Sequence, residues 1–183
     1  MGIERVILVN EQDEPIGSSE KMEAHENGSL HRAVSVFVFN SDGELLLQKR
    51  ASEKYHGGGL WTNSCCTHPR EGETSEACAI RRLQEELGFE AEVEEKFSFI
   101  YKAEVENGLV ENEYDHVFVG MYDGKVNPNP EEVEDYTFVE LDKVVKDAEL
   151  HPEKYTIWFR IIIDKFRDHL TGMDHRLKRS VGV

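Results

Sequence analysis

Three short stretches of this chain place carboxylates, a thiol and imidazoles at spacings that carry chemical meaning. Glu111 and Glu113 flank a single residue, so on an extended strand both carboxylates point to one side. Two parallel carboxylates repel each other unless a cation or a proton lies between them. In Trp61-Thr62-Asn63-Ser64-Cys65-Cys66-Thr67-His68-Pro69, Cys66 and His68 share a face in the same way. A thiol beside an imidazole or a metal is held as thiolate, the form that serves as base or nucleophile. The preceding Gly57-Gly58-Gly59 allows close approach of backbone to a ligand. His25 and His31 fall on different faces of a helix and roughly 20 Å apart on a strand. They reach a common ligand only if Asn27-Gly28 folds the chain back. Taken one at a time, plainer readings lead: surface or capping histidines, an exposed acidic strand end, a buried cysteine. Cys78 is expected to be that buried, structural cysteine.

The elements that must position these groups are well punctuated. Strands are expected over 5–9, 33–39, 44–50, 97–105, 116–122 and 136–141, with a turn over 10–14 before Pro15 and Gly17. Asn40-Ser41-Asp42-Gly43 has hairpin-turn composition between two of them. Thr74 is a candidate N-cap, Ala77, Ile80, Leu83 and Leu87 recur at helical spacing, and Gly88 stands at the C-terminal cap. On this helix Arg82 and Glu86 are expected on the face opposite the apolar stripe, in a cluster with Arg81 and Glu85. A last helix is expected over 152–170, with Tyr155, Trp158, Phe159, Ile162 and Phe166 on its apolar face.

The chain has 183 residues, 39% hydrophobic, with a formal net charge of -16. That length suits one domain spanning 1–183, and the acidity argues against nucleic acid, whose partners carry basic stripes. An anionic small molecule would need a local cluster of Lys and Arg, or metal ions. Cys65, Cys66 and Cys78 form an odd, partly adjacent set, which is a poor disulfide framework and points to a reducing compartment. With no apolar run of membrane-spanning length, a cytoplasmic protein without membrane contact is expected, and a monomer.

Residues 67–89 resemble the Nudix box, G-x5-E-x7-R-E-U-x-E-E-x-G-U. Glu73, Arg81, Leu83, Glu85, Glu86, Gly88 and Phe89 are in register, while Thr67 replaces the first Gly and Arg82 the Glu after Arg. More specifically, nearly the whole chain resembles type I isopentenyl-diphosphate isomerases, through Trp61 to Pro69, Glu111-Asn112-Glu113, His25 with His31, and Arg81-Arg82. The resemblance implies an α/β (α+β) Nudix fold: a mixed β-sheet core sandwiched between helices, with extra N-terminal strands and a C-terminal helix. It implies metal-dependent interconversion of isopentenyl and dimethylallyl diphosphate, in isoprenoid biosynthesis, through a tertiary carbocation.

By the same resemblance Cys66 and Glu113 are the acid–base pair, Tyr101 assists Glu113, and Trp158 shields the cation. His25, His31, His68, Glu111 and Glu113 match the ligands of a divalent metal, a set that suits Mn, Mg or Zn. Glu86 and the Cys66 backbone carbonyl match a second ion, Mg, carried with the diphosphate. Lys21, Arg50, Lys54 and Arg82 match the diphosphate-holding positions. The alternatives are a Nudix pyrophosphohydrolase on a nucleoside or prenyl diphosphate, against which Arg82 speaks, and a non-catalytic diphosphate-binding protein, which needs no opposed acid and base.

Overall fold

Nine strands join in one mixed sheet in this computed structural model, which describes residues 4–170. In chain order they are β1 (Arg5–Val9), β2 (Pro15–Glu20), β3 (His31–Phe39), β4 (Glu44–Arg50), β5 (Trp61–Thr62), β6 (Cys65–Thr67), β7 (Val93–Glu104), β8 (Val110–Met121) and β9 (Val133–Glu140). Among the described residues α1 (Lys21–Asn27), α2 (Ser75–Leu87), α3 (Leu141–Leu150) and α4 (Ile157–Lys165) accompany them, and 167–170 are helical as well. The parallel pair β3–β8 is central, β7 lies antiparallel on β8, and β6 adds to β3. β3 is buried on both faces, as its unbroken Val/Phe run demands.

Helices cover the two faces, as the sandwich reading anticipates. Val34, Val36, Val38 and Cys65 pack under Leu83 and Leu87 of α2. On the other face Phe37, Phe39 and Leu47 pack with Val144 of α3 and with Trp158, Phe159 and Ile162 of α4. Cys78 lies in the first of these cores, fully buried as expected. All three cysteines are free. Among the described residues no helix is long and apolar enough to cross a membrane.

Several boundaries differ from the sequence reading, for identifiable reasons. Pro15 and Gly17 belong to the edge strand β2, where a missing N–H at the first position costs nothing. β8 begins six residues before position 116, because the charged and polar run 111–115 hides a strand whose alternate side chains are buried. α1 and α3 were not expected at all. The helix expected over 152–170 is interrupted: a 3-10 turn over Pro152–Lys154 precedes α4. Between them Tyr155 bridges to Trp61, and the Thr156 N–H donates to the Trp61 carbonyl at 3.0 Å, which holds this segment extended against β5.

α2 has the ends its sequence announces. Thr74 Oγ1 accepts from the Ala77 N–H at 3.1 Å, and Gly88 closes the helix at φ 74, ψ 23. A Cβ on Gly88 would also lie 2.5 Å from the Asn127 carbonyl oxygen. Gly88→Ala is therefore expected to cost about 1–3 kcal/mol, since left-handed strain and a backbone clash coincide. Urea unfolding reads this directly, and an unchanged midpoint would contradict it.

Candidate functional site

β8 is the backbone of the site. Its alternation buries Glu111 and Glu113 on one face, and its parallel register with β3 sets His31 directly opposite Glu113. α1 ends at Gly28 in the left-handed conformation (φ 63, ψ 34), and this turn leads back into β3. His25 and His31 thereby meet with ring centroids 4.8 Å apart, and His68, at the end of β6, lies 5.7 and 5.0 Å from them. The surface or capping reading of the histidine pair is thus corrected: both rings are fully buried. The exposed-strand-end reading of the two glutamates fails for the same reason.

The tautomers are set by the backbone. His25 Nδ1 is 2.6 Å from the Lys21 carbonyl and His31 Nδ1 is 2.8 Å from the Ser29 carbonyl, so each Nδ1 carries its hydrogen. Both Nε2 lone pairs then face the carboxylates, the arrangement usual for metal-ligating imidazoles. His25 Nε2 lies 3.3 Å from Glu111 Oε2, His31 Nε2 3.5 Å from Glu113 Oε1, and His68 Nε2 2.9 Å from the same Oε1. Yet His25 Nε2, His31 Nε2 and Glu111 Oε2 are buried without a hydrogen-bond partner. Donor atoms of His25, His31, His68 and Glu113 all fall within 4.8 Å of one another. Orphaned, converging nitrogen and oxygen donors fit a divalent metal, and this group can hold one.

Electrostatics follow from burial. Burial alone would raise Glu113, but the imidazoles of His31 and His68 beside it hold it well below the usual carboxylate range. Burial lowers His68 to about 4, against the pull of Glu113. Asp115, next on the same face of β8, is raised well above its ordinary value by burial and by the charge of Glu113. It accepts from Ser35 Oγ at 2.7 Å. On β7, opposite Glu113, the Tyr101 hydroxyl donates to Glu113 Oε2 at 2.6 Å, and burial keeps that phenol protonated.

Cys66 faces the same cleft from β6, with volume about 820 Å³. Its Sγ donates to Asn63 Oδ1 at 3.0 Å and accepts from the Trp158 indole N–H at 2.9 Å. The expectation of a standing thiolate is reversed here. Burial first, then repulsion from Asp115, pushes the thiol up to about 12, because its bonding partners are an amide and an indole. Glu113 and Cys66 thus present a carboxylate and a thiol to one cavity.

Lys21, Arg50, Lys54 and Arg82 also line this cleft. Each is held in place: Lys21 by Glu4 at 3.1 Å, Lys54 by Glu132, and Arg82 by Glu85 at 2.7 Å and by Glu86. The Arg50 guanidinium donates to the His56 carbonyl at 3.2 Å and lies 5.3 Å from the Trp158 ring centre. Glu86 departs from the solvated face assigned to it. It is buried and accepts from Gln48 Nε2 at 2.8 Å, one turn from Arg82. Sequence reasoning also missed His56, Asn63 and Asp115, whose polar side chains gave no periodic signal of burial.

Comparison with known proteins decides the family. Residues 29–159 match the NUDIX domain. An isopentenyl-diphosphate Delta-isomerase of Serratia proteamaculans is 49% identical over 160 residues, 87% of this chain and 89% of that protein. The isopentenyl-diphosphate Delta-isomerase 2 of Photorhabdus laumondii is 52% identical over 161 residues, covering 88% and 91%. The chain belongs to the isopentenyl-diphosphate Delta-isomerase family. The Nudix fold of this isomerase family is also seen in a Deinococcus radiodurans crystal structure, with a TM-score of 0.65 at 24% identity over 84% of this chain and 100% of that one. In this sheet Thr67 occupies an ordinary extended position opposite Val34, so the missing Gly leaves no strain.

A divalent ion that binds the folded cluster stabilises it by mass action, about 2.7 kcal/mol at a hundredfold excess over Kd. Adding Mn²⁺ is therefore expected to raise the melting temperature and EDTA to reverse the rise. The double variant His31→Ala/His68→Ala should lose the response. An ion-independent melting temperature in the wild type would contradict the metal reading.

Proposed function

We propose that this protein interconverts isopentenyl and dimethylallyl diphosphate by moving a proton on and off the carbon skeleton. The observation that carries the reading is the pair Glu113 and Cys66, both facing one cleft yet biased to opposite protonation states. Shifting an unactivated double bond requires an acid at one carbon and a base at another. A thiol proton delivered to the alkene leaves a tertiary cation, and a carboxylate then accepts the proton lost from the adjacent carbon. Reversal of the roles runs the reaction backward, with Tyr101 as the hydrogen-bond partner of Glu113 throughout.

Trp158 is 5% exposed and its N–H is committed to Cys66, so its ring is fixed beside the sulfur. Its π face is the natural shield for a desolvated cation, worth about 2 kcal/mol. His25, His31, His68, Glu111 and Glu113 would hold one divalent ion, Mn, Mg or Zn. Glu86, with the Cys66 backbone carbonyl, would hold Mg together with the diphosphate. When bound, these ions supply positive charge beside Glu113 and the diphosphate oxygens. Lys21, Arg50, Lys54 and Arg82 clamp the diphosphate, the local reversal of an acidic surface. Free cysteines and net acidity suit a single-domain, monomeric cytoplasmic enzyme acting on a small prenyl diphosphate without nucleic acid or membrane.

Incubation with isopentenyl diphosphate, Mg²⁺ and Mn²⁺ in D2O, followed by NMR, is expected to show dimethylallyl product and deuterium incorporation. Cys66→Ala and Glu113→Gln should each lower turnover by about 10²–10⁴-fold with the fold intact. Phosphate release without exchange would instead identify a pyrophosphohydrolase, and full activity in either variant would remove that residue from the mechanism.

A further inference from the structure

His56 has no role in the account so far, yet the chain goes to some length to bury it. It is 5% exposed, and neither ring nitrogen makes a hydrogen bond. Buried orphan nitrogens are costly, so their placement calls for a function. Nε2 stands 2.6 Å from Glu111 Oε1, at ion-pair distance but not aligned as a hydrogen bond. The other oxygen, Oε2, is the one directed at His25 Nε2.

The loop that carries His56 is fixed at three successive residues. The Tyr55 carbonyl accepts from Asn107 Nδ2 at 3.2 Å, the His56 carbonyl accepts from Arg50, and the Gly57 N–H donates to Glu106 Oε2 at 3.3 Å. Gly57 has φ +59, and a Cβ on Gly58 would lie 2.5 Å from the Ser52 carbonyl oxygen. The three glycines therefore let the loop fold against its own chain, which brings His56 over Glu111. The ring is then wedged edge-on against Tyr55 and Trp158, with centroids 4.4 and 5.6 Å away.

We propose that His56 is a positioning residue for Glu111, engaging Oε1 so that Oε2 is presented to a cation held by His25, His31, His68 and Glu113. The proposal rests on the metal reading of that site. Glu111 is a carboxylate beside a second carboxylate, and without a donor on Oε1 it can swing away from Glu113. Partners of this kind, one bond removed from the ion, orient ligands and raise their affinity. His56 does so from a loop distant in sequence from both histidine strands.

Mn²⁺ titration of the whole protein by calorimetry tests this, with the wild type, His56→Phe and His56→Gln, each first checked for fold by circular dichroism. Phe keeps the ring and removes the donor, whereas Gln restores an N–H near the same place. The expected result is a loss of Mn²⁺ affinity of about 10- to 100-fold in His56→Phe, with most of it regained in His56→Gln. If Phe does not fold, His56→Ala supplies the same comparison. Wild-type affinity in the donor-free variant would overturn the proposal, as would a Gln variant as weak as Phe, which would make the imidazole a direct ligand. A wild type that binds no Mn²⁺ would instead overturn the metal site itself.

Discussion

Burial of two like charges one strand-repeat apart is the constraint on which the rest of this structure depends. Glu111 and Glu113 point to the same side of β8 and are nearly inaccessible to water. Neither neighbour relaxes the repulsion, since Asp115 continues the same row. Such a row is tolerable only if positive charge or hydrogen-bond donors converge on it. The fold delivers them from separate directions: His31 from the parallel register of β3, His25 from α1 after the Gly28 turn, His68 from β6, and Tyr101 from β7. The imidazole nitrogens still left without partners mark the place where a cation completes the balance.

The same burial sets the states of both groups at the cleft. Imidazoles and a phenol hold Glu113 ionised. Cys66 is kept as a thiol by desolvation, with Asn63 and Trp158 as its partners. Trp158 belongs to α4, and its indole N–H also reaches Thr62 Oγ1 at 3.0 Å, while Thr156 bonds the same hydroxyl at 2.8 Å. The sheet-to-helix packing of Phe37 and Phe159 thus fixes the aromatic wall of the site as well as the core. At the mouth Lys21 pairs with Glu4, and Lys54 and Arg82 with Glu132, in exposed or half-buried pairs that are individually weak and can be exchanged for a diphosphate.

Much of this was legible before any coordinates. The hairpin β3–β4, the ends of α2 and the shared side of Glu111 and Glu113 follow from composition and period alone. The resemblance then gathered His25, His31, His68, Cys66 and Tyr101, which local spacing could not connect. What stayed hidden was polar and buried. The first half of β8 reads as a charged surface, Glu86 reads as a solvated helix residue, and His56 reads as part of a glycine-rich loop. In each case tertiary contacts override the local rule that charges face water: Gln48 for Glu86, Glu111 for His56, and the imidazole cluster for β8. The thiolate expectation for Cys66 failed because burial disfavours the charged form and its bonding partners are an amide and an indole.

Anomalous diffraction from crystals grown with Mn²⁺ tests the central claim most directly. The account predicts one strong peak enclosed by the nitrogen and oxygen donors of His25, His31, His68, Glu111 and Glu113. A carboxylate pair that stays buried with no ion between its imidazoles, or an ion bound elsewhere in the cleft, would contradict it.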